Sequence, residues 1–180
     1  MNFRETRLDG LWIVEPDVYS DYRGFFMEIY NQRAFAKFAP VEFVQDNMSR
    51  SIKGTLRGLH YQVGSYAQGK LVRVTHGAVF DVAVDIRRAS KTFGQWFGLM
   101  LSAENKLALY IGPGFAHGFL VISDVAEIMY KCTNFYEPQA ERCIIWNDPD
   151  VGIEWPNSPD LNLCSSKDRT APLLRDAEID

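Results

Sequence analysis

Short apolar stretches alternate with polar residues along most of the chain, and turn residues separate one stretch from the next. The clearest case is 80–86, where Phe, Val and Ile alternate with Asp and Ala. A period of two is typical of a β-strand. Comparable stretches predict strands at 11–14, 25–30, 43–47, 57–62, 70–75, 96–101, 106–111, 118–122 and 126–132. This series predicts an all-β fold, an antiparallel sandwich or barrel.

Other segments are predicted to be turns, a short helix or irregular structure. The predicted turns are 17–24, His76-Gly77, Gly94, Gly112-Pro113-Gly114 and Pro138. Asn31 is predicted to cap a short helix that ends before Pro40. The last thirty residues are rich in Pro, Asp and Asn and are predicted to be mostly irregular. Because no linker, repeat or low-complexity segment interrupts the chain, we expect one domain over residues 1–180.

Composition narrows the classes of function. The 47% apolar and 23% charged residues are ordinary for a globular protein. A net charge of −4 argues against nucleic-acid binding, because no overall basic field would attract phosphate backbones. The three cysteines lack CxxC spacing, and the sequence shows neither a signal peptide nor an apolar run of ~20 residues. We therefore expect a cytoplasmic protein that binds neither nucleic acid nor membranes.

The stretch 57–62, RGLHYQ, contains the strongest candidate for chemistry. In a strand, His60 and Gln62 face one side and their apolar neighbours face the other. A histidine flanked by Arg57 and Lys70 is unusual in an apolar core. It suggests a proton-transfer group among cations that hold an anionic substrate, although alone it is also compatible with a satisfied, partly buried histidine.

The other two histidines differ in their surroundings. His76 precedes a glycine in a predicted turn, where an exposed structural role is expected. His117 lies between glycines in GFAHGF, and both a site role and a structural role remain open for it.

Nine short motifs in one order give the chain a specific family resemblance. They are 21–28 (DYRGFFME), 43–49 (FVQDNMS), 56–62 (LRGLHYQ), 68–72 (QGKLV), 80–87 (FDVAVDIR), 114–119 (GFAHGF), 130–131 (YK), 145–149 (IWNDP) and 166–168 (SKD). The set resembles the dTDP-4-dehydrorhamnose 3,5-epimerase family from about Glu15 to Leu174. Two departures are Gly112-Pro113-Gly114, where the family pattern places the proline one residue away, and Met48, where histidine is frequent.

The resemblance implies a fold, a reaction and an assembly. The fold is a cupin-type jelly roll with a few short helices, free of metal and other cofactors. The substrate is dTDP-4-dehydro-6-deoxy-D-glucose, and inversion at C3 and C5 gives dTDP-4-dehydro-L-rhamnose for dTDP-L-rhamnose biosynthesis. The enzyme is a homodimer that exchanges N-terminal strands.

The chemistry calls for few groups, and the resemblance supplies a residue for each. The C4 ketone acidifies the hydrogens on C3 and C5, so a base, an acid and a cation near the enolate oxygen suffice. By resemblance, His60 is the base, Asp168 orients it, Lys70 stabilises the enolate and Tyr130 is the acid. Judged alone, Asp168 is a C-terminal surface residue, Lys70 a solvated lysine and Tyr130 a residue at the core edge.

Substrate-binding positions also follow from the resemblance. Tyr136 matches the residue that stacks on thymine, and Arg23 and Glu28 can come from the neighbouring subunit. Arg57 and Lys167, like Arg23, suit a pyrophosphate because they offer charged donors. The full predicted binding set is Arg23, Glu28, Gln45, Asn47, Arg57, Lys70, His117, Tyr136, Glu141 and Lys167.

Three alternative functions remain open: an epimerase that inverts one centre, a metal-dependent cupin and a non-catalytic sugar-binding protein. A relative that inverts one centre would share His60, Lys70 and Asp168. A metal-dependent cupin would use a His-x-His…Glu set, but Gln62 replaces the second histidine and no glutamate lies between it and Lys70, so we expect no metal. A non-catalytic sugar-binding jelly roll would leave His60 and Tyr130 idle.

Overall fold

The computed structural model describes residues 1–179, and β-strands form most of its regular structure. The strands are β1 (Asn2–Glu5), β2 (Leu11–Glu15), β3 (Val18–Asp21), β4 (Gly24–Met27), β5 (Gln45–Ile52), β6 (Leu56–Gln62), β7 (Lys70–His76), β8 (Ala78–Asp85), β9 (Trp96–Ser102), β10 (Ala108–Ile111), β11 (Phe115–Val121), β12 (Val125–Cys132) and β13 (Glu141–Cys143). The helices are α1 (Gln32–Phe35) and α2 (Ser166–Arg169), with 3-10 turns at Gly64–Tyr66, Leu161–Leu163 and Leu174–Asp176. No helix in this part of the chain has the length and hydropathy that crossing a bilayer requires.

The strands form two antiparallel sheets and a hairpin. The larger sheet has the order β1-β2-β10-β7-β12-β5, the smaller sheet the order β13-β6-β11-β8-β9, and β3 pairs with β4. Val72 and Leu109 of the larger sheet share one core with Ala83 and Phe119 of the smaller. Because apolar side chains of both sheets meet in this core, the two sheets pack face to face. This arrangement confirms the predicted all-β jelly roll.

Each predicted strand overlaps an observed one. In β8, however, the period-two pattern does not separate a buried face from an exposed one. Ala83 faces the core between the sheets, whereas Val82 and Val84 belong to a second cluster with Ile144 and Leu174 of the C-terminal part. Both faces of β8 are therefore buried. Residues 151–179, mostly irregular as predicted, cover the outer face of the smaller sheet and bring α2 to the end of β6.

The segment 17–24 is not the turn that the sequence suggested. Val18–Asp21 forms β3 and pairs with β4 in a tight hairpin, Val18 opposite Met27 and Asp21 opposite Gly24. The prediction was wrong because both strands are largely exposed, so their residues show no division between a core face and a solvent face. The predicted strand 25–30 accordingly ends at Met27.

Two local predictions are confirmed by the backbone geometry. The Asn31 side chain accepts a hydrogen bond from the Ala34 N–H at 3.1 Å and so caps α1. His76 ends β7 and is exposed. Gly77 has φ +74°, and a Cβ at this position would lie 2.0 Å from the Val125 carbonyl oxygen, so only glycine fits this turn.

Candidate active site

Two adjoining cavities lie between the sheets. The larger, about 290 Å³, is lined by Gln45, Asn47, His60, Tyr61, Gln62, Gln68, Lys70, Tyr130, Cys132, Tyr136 and Glu141. The smaller, about 140 Å³, shares His60, Lys70 and Tyr130 with it and extends to Arg57 and His117. His60 belongs to the smaller sheet, whereas Lys70 and Tyr130 belong to the larger. The cavities therefore place the candidate base on one wall and the candidate acid and cation on the other.

His60 forms a short hydrogen bond with the carboxylate of Asp168. His60 Nε2 lies 2.6 Å from Asp168 Oδ1, although the two residues are 108 positions apart. Asp168 is only 2% exposed, so it is not a surface residue. It sits in the first turn of α2, where its N–H donates to Ser165 Oγ at 3.1 Å. The structure therefore brings the predicted base and its predicted partner together.

The charge state of this pair follows from its surroundings. Burial raises the pKa of Asp168, but the hydrogen bond and charge of His60 outweigh it, helped by Ser165 and Gly58, and the net pKa is lowered. An ionised carboxylate can only accept, so His60 Nε2 carries the proton of this bond. Nδ1 is then the nitrogen able to take a proton from a substrate.

Lys70 begins β7 and is a half-buried cation at the cavity wall. Burial lowers the pKa of its ammonium, and the charges of Cys132, Asp81 and Glu141 oppose that shift. Within residues 1–179 no carboxylate lies within ion-pair distance of Lys70. A partly desolvated ammonium without a fixed counter-ion is well suited to stabilise negative charge on a bound molecule.

Tyr130 lies on β12 with its ring packed against the core and its side chain lining both cavities. Burial raises the pKa of its hydroxyl, the charge of Cys132 raises it further, and that of Arg57 lowers it. The phenol therefore keeps its proton near neutral pH. It can act as a proton donor rather than as a base.

A second histidine–aspartate pair lies beside the first. His117 on β11 stands opposite His60 on β6, and its Nε2 is 3.0 and 2.9 Å from the two carboxylate oxygens of Asp81. Asp81 is fully buried, so this pair is built into the wall of the smaller cavity. The residues alone left the role of His117 open, the family resemblance assigned it to substrate binding, and Asp81 was missed. The available signal was an aspartate in the middle of a strand whose neighbouring positions are apolar, since a buried carboxylate needs a partner.

The outer end of the larger cavity carries a cluster around Glu141. Its Oε2 accepts a hydrogen bond from the Tyr136 hydroxyl at 3.1 Å, and its Oε1 pairs with Lys167 Nζ at 2.8 Å. Burial raises the pKa of Glu141, but Lys167 and Tyr136 together lower it. Gln45 Oε1 accepts from the Tyr136 N–H at 3.0 Å, and Gln45 Nε2 donates to Asn47 at 3.0 Å. These predicted binding residues thus form one connected group.

Three predicted binding residues line neither active-site cavity: Lys167, which is joined to the larger one through its ion pair with Glu141, and Arg23 and Glu28, which lie farther away. Arg23 is at the tip of the β3–β4 hairpin, where it pairs with Asp21 at 2.7 Å. Glu28 accepts a hydrogen bond from Asn31 at 3.0 Å. Arg57, by contrast, lines the smaller cavity and is held by Ser51 at 3.1 Å.

Cys143 is a further neighbour that sequence reasoning missed. Its Sγ lies 3.9 Å from Asp168 Oδ1, and burial together with the charge of Asp168 raises the pKa of the thiol to about 12. Ligand atoms of His60, Cys143 and Asp168 lie within 4.8 Å of one another, close enough to hold a metal ion. However, the thiol keeps its proton and the other two atoms are bonded to each other, which makes a poor metal site. The absence of a metal stays a prediction.

Comparison with known proteins identifies the family. Residues 5–176 match the family model described as dTDP-4-dehydrorhamnose 3,5-epimerase. The chain is 59% identical over 168 residues to the dTDP-4-dehydrorhamnose 3,5-epimerase of Pseudomonas aeruginosa, a match that covers 92% of each chain.

Solved structures agree with this match. The dTDP-6-deoxy-D-glucose-3,5-epimerase of Legionella pneumophila, in complex with dTDP-4-keto-L-rhamnose, is 49% identical with a TM-score of 0.91, covering 97% of this chain and 93% of that one. A 3'-monoepimerase from Streptomyces bikiniensis, in complex with dTDP-quinovose, is 35% identical with a TM-score of 0.88, covering 94% and 86%. The predicted family and enzyme class, an epimerase of nucleotide sugars, are confirmed. The chain therefore belongs to the dTDP-4-dehydrorhamnose 3,5-epimerase family.

Proposed function

We propose that this chain converts dTDP-4-dehydro-6-deoxy-D-glucose to dTDP-4-dehydro-L-rhamnose, with His60 as the base and without a cofactor. The observation that carries the proposal is the His60–Asp168 pair, which shares a cavity with the unpaired ammonium of Lys70. Family membership supports the substrate, because a relative is solved with dTDP-4-keto-L-rhamnose.

Each inversion is a proton exchange at a carbon next to the ketone. His60 Nδ1 takes the proton from C3 or C5, and the C–H electron pair moves into an enolate whose oxygen Lys70 stabilises. The Tyr130 hydroxyl then gives its proton to the opposite face of the same carbon. The enolate collapses back to the ketone, and the tyrosinate and the imidazolium return to their starting states by proton exchange with water. No electron is gained or lost overall, so the reaction needs no redox partner.

The remaining residues bind the nucleotide. Arg57 and Lys167 supply charged donors for the pyrophosphate, and the half-exposed ring of Tyr136 offers a flat face to thymine. His117, fixed by Asp81, lies at the smaller cavity, where it can donate to the sugar or the phosphate. The two cavities together are large enough to accept the sugar and part of the diphosphate.

The active form proposed here is a homodimer that exchanges its N-terminal hairpin. The hairpin exposes Tyr19, Tyr22, Phe25 and Phe26, which are 67%, 97%, 57% and 70% exposed, and an exposed aromatic surface of this kind commonly marks an interaction site. Arg23 belongs to this hairpin and lines neither of the two active-site cavities of its own chain. A second copy would cover the apolar surface and bring Arg23 to the partner's site. We further propose one domain over the whole chain and a cytoplasmic location.

Inversion of one centre only is the alternative that the comparisons raise, because one relative is a 3'-monoepimerase. Product analysis separates the two reactions. The purified chain is incubated with dTDP-4-dehydro-6-deoxy-D-glucose, and the sugar configuration is read by NMR coupling constants after chemical reduction of the ketone. We expect products inverted at both C3 and C5. A product inverted only at C3 would assign the chain to the single-centre reaction, and recovery of unchanged substrate would refute both.

A further inference from the structure

Gln62 uses its whole amide group to hold main chain rather than substrate. The side chain is 7% exposed at the wall of the larger cavity. Its Nε2 donates to the carbonyl oxygens of Tyr66 at 2.7 Å and Phe135 at 3.1 Å, and its Oε1 accepts from the Glu137 N–H at 2.8 Å. Both amide hydrogens and one oxygen lone pair are therefore occupied.

The bonds to Phe135 and Glu137 lie on either side of Tyr136. We call residues 134–137 the Tyr136 segment. Phe135 and Tyr136 are 61% and 51% exposed, so apolar packing does little to fix the segment. Its position depends instead on hydrogen bonds from glutamines, because Gln68 Nε2 also donates to the Asn134 carbonyl at 2.8 Å.

Gln62 connects this segment to the catalytic base. It lies two positions after His60 on β6, and strand alternation places both side chains on the same face. Strand β6 thus sets the position of the imidazole and, through the Gln62 amide, fixes the main chain on both sides of Tyr136, whose own N–H and hydroxyl bond to Gln45 and Glu141. Only an uncharged group with two donors and an acceptor satisfies two carbonyls and an N–H at once.

We propose that Gln62 is a positioning residue that sets the Tyr136 ring at a fixed distance from His60 and thereby gives the site its preference for a nucleoside diphosphate. The inference rests on the proposed function, in which Tyr136 stacks on the base. It predicts that Gln62 affects the binding of ligands that carry a base and not the binding of the pyrophosphate alone.

Calorimetry with thymidine diphosphate and with inorganic pyrophosphate tests the proposal. In Gln62→Met, which keeps the length of the side chain, we expect the Kd for thymidine diphosphate to rise about tenfold, within the range of a lost base stack. The Kd for pyrophosphate should stay within about twofold of wild type. Gln139→Met is the matched control, because Gln139 is exposed in the same loop, and it should change neither value.

The same substitution made in a second variant tests whether Gln62→Met weakens binding only through a general structural effect. In Tyr136→Ala, the further change Gln62→Met should leave the Kd for thymidine diphosphate unaltered, because the ring that Gln62 positions is gone. If Gln62→Met does not fold, Gln62→Asn supplies the same comparison, since the shorter amide cannot reach all three main-chain groups and adds no charge.

Three results would overturn the inference: unchanged thymidine diphosphate binding in the folded variant, an equal loss of pyrophosphate binding, or a full effect in the Tyr136→Ala background. Failure of the wild-type chain to bind thymidine diphosphate would instead refute the proposed function.

Discussion

The imidazole of His60 is held by a carboxylate that lies far along the chain and almost fully buried. Periodicity indicated which way His60 points but could not pair it with Asp168, because no local pattern connects a central strand to a one-turn helix near the C-terminus. Family resemblance predicted the pair, and the structure supplied its geometry. Asp81 was missed for the same reason, since its partner His117 lies on another strand.

Replacement of the base gives the first prediction. His60→Asn should lower kcat by about 10²–10⁴-fold, the usual contribution of a general base, because the amide cannot take a proton from carbon. The Kd for thymidine diphosphate should stay within about threefold, since the change is roughly isosteric. Steady-state kinetics and calorimetry measure the two effects. His76→Asn, at the exposed end of β7, is the matched control and should retain wild-type turnover. Full activity of His60→Asn would remove His60 as the base.

At the scale of elements, exposure explains which strands the sequence predicts. Most strands with a core face carry the period of two and were predicted, whereas β1 and β3 were missed because most of their side chains are exposed, and β13 because it has only three residues. The exposed β4 was predicted from its apolar residues alone. The extension of β5 to Ile52 was also missed. This part of the strand is defined by its pairing with β12, while Asp46, Met48 and Arg50 remain exposed. Pairing with a neighbour is a tertiary property that a single strand's sequence does not display.

The turn after β8 is stabilised by one buried carboxylate. Asp85 accepts hydrogen bonds from Arg87, Ser90 and Thr92. Burial alone would raise the pKa of Asp85, but these bonds lower it to about 2. A carboxyl group whose pKa is lower in the folded state than in the unfolded chain stabilises the fold at pH values above its pKa in the unfolded chain. That stabilisation is lost as the pH falls through the pKa of the folded state.

The second prediction follows from the lowered pKa of Asp85. Asp85→Asn should lower the free energy of unfolding by about 2 kcal/mol at pH 6, where the carboxylate is ionised in both states. At pH 3 the difference from wild type should shrink by about half, because the pH then lies between the unfolded pKa and the folded pKa. Urea unfolding at the two pH values measures this. Asp124→Asn, at a carboxylate 96% exposed, should differ little from wild type at either pH. A difference independent of pH would show that the charge of Asp85 is not the cause.

At the scale of the whole molecule, one chain leaves Arg23 and Glu28 away from both active-site cavities. The all-β jelly roll, the family and most of the cavity lining could be predicted from ordered motifs and strand patterns. The contacts proposed across a subunit boundary have no local sequence signal other than the aromatic residues of the β3–β4 hairpin, which the structure shows to be exposed. The third prediction therefore concerns two copies of the chain.

Mixed dimers test whether Arg23 serves the site of its partner. Arg23→Ala and His60→Asn should each be nearly inactive, and co-refolding equal amounts should restore about a quarter of wild-type turnover. The reason is that half of the dimers are mixed, and each of these has one site with both residues intact. Turnover after co-refolding measures this. No recovery in a mixture that native mass spectrometry shows to contain mixed dimers would place Arg23 outside the partner's site.

Solvent deuterium incorporation tests the central claim most directly, since that claim is proton exchange by His60 at the two carbons flanking a ketone. The wild-type chain is run in heavy water with dTDP-4-dehydro-6-deoxy-D-glucose, and the product is examined by NMR and mass spectrometry. The account predicts inverted product with deuterium at both C3 and C5, and no such exchange in His60→Asn. Inverted product that carries no deuterium would contradict it.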